Sequence, residues 1–531
     1  MIVAVRTHAV RSSSPARWYP SGHVSSLRGT AAMAHFTLTG CSALVGDDSR
    51  YEAGPLDIVV RDNRIAAVRP TGTAPAEGEV VDARHRLVTA GLVNGHHHSH
   101  EHYYKGRHEN QPLEMWMNSV RPLDPIPYTS RQVYLRTLVG AIEALRSGTT
   151  TMVDDLNASP VLIPEHVEAA MRAYDDIGIR ALVGITLFDR PFFRAMPYVE
   201  EEFPPALLKS LDGKPRSGAE EYLEFVRHLA KTRHPRANRV GTIATPSAPQ
   251  RCTDGFLGKV RALADEFDLP VIMHVQETRL QVVTGQLFYG STMIEYLDRI
   301  GFLRPGTSLI HCVWLNPREV DILARTGVSV QHNPNSNLKL GSGIAPVRAL
   351  LDAGVNVSLG TDGCGSIENT SMLKVVSSAA LVNKLRYDDP SRWIGAREAW
   401  HAGTAGGARA LGLGDELGAI TVGRKADLAA YRLDSIAFTP LNNPLGQLVY
   451  NETGAGLDFV AVDGEVVMRA GRLTRIDEAA ILAEVAQEHA GLLPLIERTE
   501  RQSEPINEVY RRIYARCLAQ PIAPDTYPAR F

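Results

Sequence analysis

Residues 91–99, Gly-Leu-Val-Asn-Gly-His-His-His-Ser, run an apolar stretch straight into three histidines. In a strand, alternate side chains share a face, so His96 and His98 point together while His97 faces a helix layer. The pattern recurs downstream. His274 follows Val-Ile-Met (271–273), His311 follows Ser-Leu-Ile (308–310), and Asp362 ends Asn-Val-Ser-Leu-Gly-Thr-Asp (356–362). Each potential ligand thus stands at the C-terminal end of a short run that reads as a β-strand. A (β/α)₈ barrel keeps its chemistry at that end. A divalent metal needs N and O ligands converging on one point, with a position left for water.

His98 with His100, or His100 with His102, also satisfies His-x-His, but the apolar run stops before His96 and favours the first frame. A third imidazole, His274, completes a three-histidine face. Glu277, three residues on, is a carboxylate placed to move a proton between water and a leaving group. His311 is placed to orient the water or polarise a substrate. A buried carboxylate at Asp362 is costly unless it is paired or binds metal, so it suits both ligation and deprotonation of water. His332, in Gln-His-Asn-Pro-Asn-Ser-Asn, is read as orienting its neighbours through hydrogen bonds.

Working outward, eight strands are expected: 91–98, 150–155, 180–187, 239–244, 270–275, 307–313, 329–332 and 356–361. Helical stretches fall between them (165–176, 220–232, 253–267, 318–326), and 372–385 and 396–411 read as helices after the last. Alternation of this kind implies βα units and a parallel sheet, and eight strands close a barrel. Short strands at 36–44, 57–60, 64–68 and 79–82 return in kind at 418–422, 426–431, 458–462 and 465–468, so one sandwich built from both chain ends is expected. The domain reading is therefore a leader over 1–33, sandwich strands over 34–88, a metal-dependent barrel over 89–412, further sandwich strands over 413–475, and a helical extension over 476–531. In the extension, Asp477 caps one helix and Pro505 opens a second. Residues 1–33 hold Arg6, Arg11, Arg17 and Arg28 with no Asp or Glu. They read as a disordered leader, or as sequence upstream of a start at Met33.

A length of 531 residues accommodates a barrel of about 250 to 400 residues plus a smaller domain. Net charge is −3, which offers nothing to nucleic acid or an anionic membrane. The five cysteines are scattered, without a Cys-x-x-Cys pair, as in a protein of a reducing, cytoplasmic compartment. No apolar run approaches the roughly 20 residues of a membrane span.

With these residues in view, the chain resembles the metal-dependent amidohydrolase superfamily. It is most similar to the branch of cytosine deaminase-like and S-adenosylhomocysteine deaminase-like enzymes that includes triazine chlorohydrolases. The carrying segments are Ala-Gly-Leu-Val-Asn-Gly-His-His-His (90–98), His-Val-Gln-Glu-Thr (274–278), His-Cys-Val-Trp-Leu (311–315), and the stretch from Asn-Ser-Asn-Leu-Lys-Leu-Gly-Ser-Gly (335–343) to Leu-Gly-Thr-Asp-Gly (359–363). The resemblance implies a distorted TIM barrel beside a composite β-sandwich. It also implies one divalent ion, Zn²⁺ or Fe²⁺, on His96, His98, His274 and Asp362. Glu277 and His311 would be the proton shuttle and the water or substrate contact, in a cytosolic homodimer or larger homo-oligomer. Binuclear members carry a lysine at the end of the fourth strand, and Ile-Ala-Thr-Pro-Ser-Ala-Pro-Gln (243–250) has none, so one metal is expected. Three positions depart from the pattern. Ala90 replaces a proline. Ser247 replaces the histidine usual in adenosine-type deaminases. Gln276 replaces a small residue, and is expected to narrow or polarise the pocket.

The expected reaction is hydrolysis of a C–N bond other than a peptide bond. Its form is deamination of a small planar heteroaromatic ring (purine-, pyrimidine-, pterin- or triazine-like) by a metal-activated water, with Glu277, His311 and Asp362 as catalytic groups. Tyr103, Trp116, Phe188 and Trp314 are candidates to line the mouth. Cleavage of an amide, carbamate, urea or C–Cl bond uses the same constellation, and a non-catalytic scaffold is the remaining alternative.

Overall fold

The computed structural model describes residues 35–121 and 125–530; the expected leader over 1–33 lies outside them. The architecture is α/β. Parallel strands alternate with helices through the middle of the chain, at Leu92–His97, Thr149–Leu156, Arg180–Leu187, Val240–Thr242 with Thr245–Pro246, Val271–Val275, Thr307–His311, Ser329–His332 and Val357–Leu359. They form two parallel arcs rather than one continuous ladder. The arcs meet on one side through the single pairing of Ala244 with Val271. On the other side the Asp362 N–H donates to the His96 carbonyl at 2.9 Å. There the Asn94 side chain bonds both the backbone N–H and the hydroxyl of Thr361, at 3.0 and 2.8 Å. Val93, Val153, Leu182, Ile272 and Ile310, each from a different strand, and Ile243, between Val240–Thr242 and Thr245–Pro246, pack in one buried cluster with Leu411 and Leu417. That cluster is what a shared interior requires, because inward side chains must bury against one another.

Strands from both ends of the chain do join, as expected, but hydrogen bonding makes them one nine-stranded sheet and not two stacked ones. Its order runs Arg472–Leu473, Glu465–Arg469, Leu457–Val462, Leu428–Arg432, Arg86–Ala90, His35–Val45, Arg50–Arg61, Arg64–Pro70, with Glu79–Asp82 paired to His35–Val45. Phe36, Ile58, Val88, Leu428 and Phe459 share its core. The expected strand at 418–422 is reduced to one bridge from Ile420 to Val45. Arg180, on a parallel strand, ties this sheet to the arcs: its guanidinium reaches Asp427 at 3.1 and 3.2 Å and Asp463 at 3.2 Å, with Arg180 and Asp427 side chains each 3% exposed. Removing one partner strands a buried charge, so Arg180→Met is expected to lower unfolding stability by about 3–5 kcal/mol. Urea denaturation followed by circular dichroism checks this; an unchanged midpoint would contradict it.

Two helical expectations are corrected. The stretch 396–411 is two helices, Ala396–Ala402 and Ala405–Ala410. The chain breaks at Gly403, whose carbonyl accepts the Val93 N–H at 2.8 Å. A Cβ at Gly407 would stand 2.8 Å from that of Val93, so the second helix rides directly on the strand. The C-terminal extension is one 42-residue helix, Glu478–Ala519, with Pro494 and Pro505 inside it. The expected break at Pro505 fails because packing holds the helix on both sides of it. Arg107 pairs with Glu500, and Ile506, Val509 and Ile513 are buried against Phe203, Leu208 and Leu280. By length and composition alone the helix Glu478–Ala519 is long and apolar enough to cross a membrane, although no uninterrupted apolar run of that length lies in it. Alanine raises its mean hydropathy, while Glu484 and Glu488 within it bond Arg131 and Gln132.

Candidate active site

The ends of the parallel strands bring the six singled-out residues together. His96 and His98 lie where Leu92–His97 ends, and the His96 ring centroid is 4.6 Å from that of His98 and 4.8 Å from that of His274. Asp362 Oδ1 is 3.4 Å from Nε2 of both His96 and His98. The ligand atoms of His96, His98 and His274 lie within 4.8 Å of one another, as do those of His96, His311 and Asp362. The His96–His98 frame is the one that converges with His274 and Asp362. His97 turns away and bonds the Asp362 carbonyl through Nδ1 at 3.1 Å.

Backbone carbonyls set the tautomers. His98 Nδ1 lies 2.7 Å from the Asp155 carbonyl and His274 Nδ1 2.9 Å from the Ser247 carbonyl. An imidazole that donates from Nδ1 presents a lone pair at Nε2. Neither ring nitrogen of buried His96 has a hydrogen-bond partner. An orphaned buried imidazole beside two imidazole lone pairs and a carboxylate fits a divalent cation by donor chemistry.

Burial, then the charge of His96, push the pKa of His98 and His274 well below that of free imidazole. His311 is driven down to about 4, chiefly by burial. Burial works to raise Asp362, but its close contact with His96 and the charges of His96, His98 and His311 hold it well below the usual carboxylate range. Ser336 Oγ donates to its second oxygen at 2.6 Å. Glu277 goes the other way: burial, then the charges of Asp362 and Glu114, raise it well above the usual value. Its Oε2 faces His311 Nε2 at 3.4 Å, and His311 Nδ1 is held by Asn337 Oδ1 at 2.9 Å. Gln276, His311 and Asp362 take left-handed φ of 49°, 73° and 66°. Non-glycine residues rarely adopt this geometry, and it re-aims side chains where strands end.

Several residues here are given no role by the sequence reading. Asp155, Ser336 and Asn337 act through hydrogen bonds from other segments. Glu114 is buried, accepts the Thr278 hydroxyl at 2.7 Å, and is pushed up in pKa by burial. Other expectations fail. Gln276 does not face a pocket: its amide is tied to the Trp314 carbonyl at 2.6 Å and the Met293 N–H at 3.0 Å. Neither ring nitrogen of His332 makes a hydrogen bond, so it orients no neighbour that way. Tyr103, Trp116 and Trp314 are buried with their polar atoms on the carbonyls of Gln132, Gly365 and Ser342. Of the four aromatics, Phe188 lines a cavity of about 870 Å³ beside the histidines. The cavity wall reaches the site at His100, whose ring centroid is 5.1 Å from that of His98.

The sequence profile of the Amidohydrolase family matches residues 87–467. A 5'-deoxyadenosine deaminase of Methanothermobacter thermautotrophicus is 34% identical over 452 residues, 84% of this chain and 98% of that protein. A 5-methylthioadenosine/S-adenosylhomocysteine deaminase of Desulforudis audaxviator is 34% identical over 430 residues, 80% and 92% of the two chains. Among solved structures, an adenosine deaminase from Xanthomonas campestris with bound zinc superposes with a TM-score of 0.75 at 29% identity, covering 88% of this chain and 98% of that one. The zinc complex of an atrazine chlorohydrolase from Arthrobacter aurescens superposes at 0.76 with 23% identity, over 85% and 99% of the two chains, and shares the fold.

Proposed function

We propose, since this chain belongs to the amidohydrolase family and is a hydrolase of C–N bonds other than peptide bonds, that it deaminates an adenosine-like amine at the strand-end site. The carrying observation is the convergence of His96, His98, His274 and Asp362, drawn from three separate strand ends, with neither nitrogen of the His96 ring hydrogen-bonded. Both relatives above are named for deamination of adenosine derivatives, which supports this substrate class over a chloride or alkylamine leaving group. We take the two arcs as a distorted (β/α)₈ barrel.

His96, His98, His274 and Asp362 would hold one divalent cation, Zn²⁺ or Fe²⁺. When bound, that cation lowers the pKa of a water towards neutrality. Asp362, kept ionised, accepts a proton from the attacking water. His311, neutral at pH 7 and fixed through Asn337, orients that water from Nε2. Glu277, kept protonated, donates to the ring nitrogen next to the carbon under attack, so charge does not build on the ring. Left ionised, Glu277 takes up the proton of the newly added hydroxyl and passes it to the departing amine, and the proton held by Asp362 restores it for the next turnover. Chelation is expected to abolish ammonia release from 5'-deoxyadenosine and methylthioadenosine, and added Zn²⁺ or Fe²⁺ to restore it. Ammonia release indifferent to chelator, or its absence from every adenine nucleoside in the metal-loaded protein, would overturn the reading.

A further inference from the structure

The cavity beside the histidine site has an unusual charge. Arg121, Arg136 and Arg251 all line it. Arg136 is 6% exposed and Arg251 7%. None of the three forms an ion pair with a carboxylate among the described residues, and the Nε of each lacks a hydrogen-bond partner. Arg251 stacks on the Phe188 ring at 3.9 Å, and its Nη1 donates to Ser247 Oγ at 3.0 Å. Arg136 lies over the Tyr128 ring at 4.8 Å. Asp189, the one carboxylate on the cavity wall among the described residues, is occupied by the N–H and hydroxyl of Thr253.

Guanidinium groups withdrawn from water without a counter-charge are expensive. Burial, followed by the charge of Arg121, pushes Arg251 down to about 9 against the pull of the Asp155 carboxylate, which makes no direct ion pair with it; Arg251 is thus protonated at neutral pH without an anion in contact. Arginine forks match carboxylate and phosphate oxygens two at a time. We infer that this cavity receives an anionic group of the substrate, a carboxylate or a phosphate, against Arg251, Arg136 and Arg121. Its position links it to the reacting centre. Arg251 is held by Ser247, whose carbonyl fixes His274, and the wall continues through His100 next to His98. The adenosine-type histidine, absent at position 247, has given way to a serine that holds an arginine. Phe188, Leu156 and Ile126 supply apolar wall between the charges. As a statement about substrate, the inference rests on the reading of the strand-end histidines as the reacting site.

Binding to the metal-loaded full chain, measured by calorimetry, tests it without turnover. The probes are benzoate, phenyl phosphate and neutral benzamide, with inosine and its 5'-carboxylate and 5'-phosphate as ring-bearing pairs. An anionic probe is expected to bind about tenfold or more tightly than its neutral partner, and to weaken as salt rises. The better of carboxylate and phosphate identifies the source of the charge. Arg251→Gln erases the preference, and Arg251→Lys keeps part of it. Arg136→Gln, expected to reduce the preference, serves if the first variant does not fold. Equal affinity of anionic and neutral probes for the wild type, or a preference untouched in both glutamine variants, would sink the inference. Ammonia release from adenosine, its 5'-carboxylate and its 5'-phosphate is scored separately. Its absence alongside an intact anion preference defeats the deaminase reading alone, and its presence without any preference defeats the inference alone.

Discussion

Asp362→Asn is expected to lower kcat/KM by roughly a thousandfold or more and to leave the purified protein short of metal. The change keeps shape and removes charge at the point nearest to two imidazoles, where Oδ1 lies 3.4 Å from His96 and from His98. Two functions go together: a ligand for the cation, and an acceptor for the proton of water. Ser336→Ala separates them from mere positioning. Ser336 touches only the second carboxylate oxygen, at 2.6 Å, so its loss is expected to cost on the order of 10- to 100-fold with metal largely retained. Steady-state kinetics and metal analysis of the two variants decide the matter. If Asp362→Asn stays within tenfold of the wild type, the carboxylate neither binds metal nor accepts a proton.

What could be read from the sequence follows the reach of each signal. Period-two alternation into a histidine locates His96 and His98 on one face, because strand geometry is local. The strand ends at His274 and His311, and the loop position of Asp362, are local in the same way, so the chain order of the site was legible. The polar groups that tune it were not. Asn337 lies 26 residues from His311, and Asp155 lies 57 residues from His98; each reaches its partner only through the packing of separate strands. The long C-terminal helix was misread at Pro505 because a proline's local cost is overridden where side chains on both flanks are buried. Gln276 was misread because direction depends on backbone angle. At Gln276 a left-handed φ turns the amide into the loop between Trp314 and Met293. The unpaired arginines were also invisible, since a lack of partners is a property of three dimensions.

Glu277→Gln is expected to cost about a thousandfold in kcat and, in the same protein, to raise stability. Both follow from one displacement of pKa. Burial, Asp362 and Glu114 raise the Glu277 carboxyl well above its usual value, so the folded protein keeps a proton there that the unfolded chain releases. With pKa higher in the folded state, the folded form binds more protons between the two values, and stability falls as pH climbs through that window. Glutamine has no proton to lose. Metal-free Glu277→Gln should therefore melt above the metal-free wild type at pH 8, and the gap should close towards pH 4, where glutamate is protonated in both states. Catalysis moves oppositely. The wild type uses the protonated carboxyl to donate to the ring, so its rate should fall on the alkaline side as Glu277 gives up its proton to solvent. The variant's residual rate should lose that limb. Melting curves across pH and a pH–rate profile read the two halves independently. A variant no more stable at pH 8, with the alkaline limb still present, would mean that Glu277 is ionised in the folded protein and that the proton for the leaving amine comes from elsewhere.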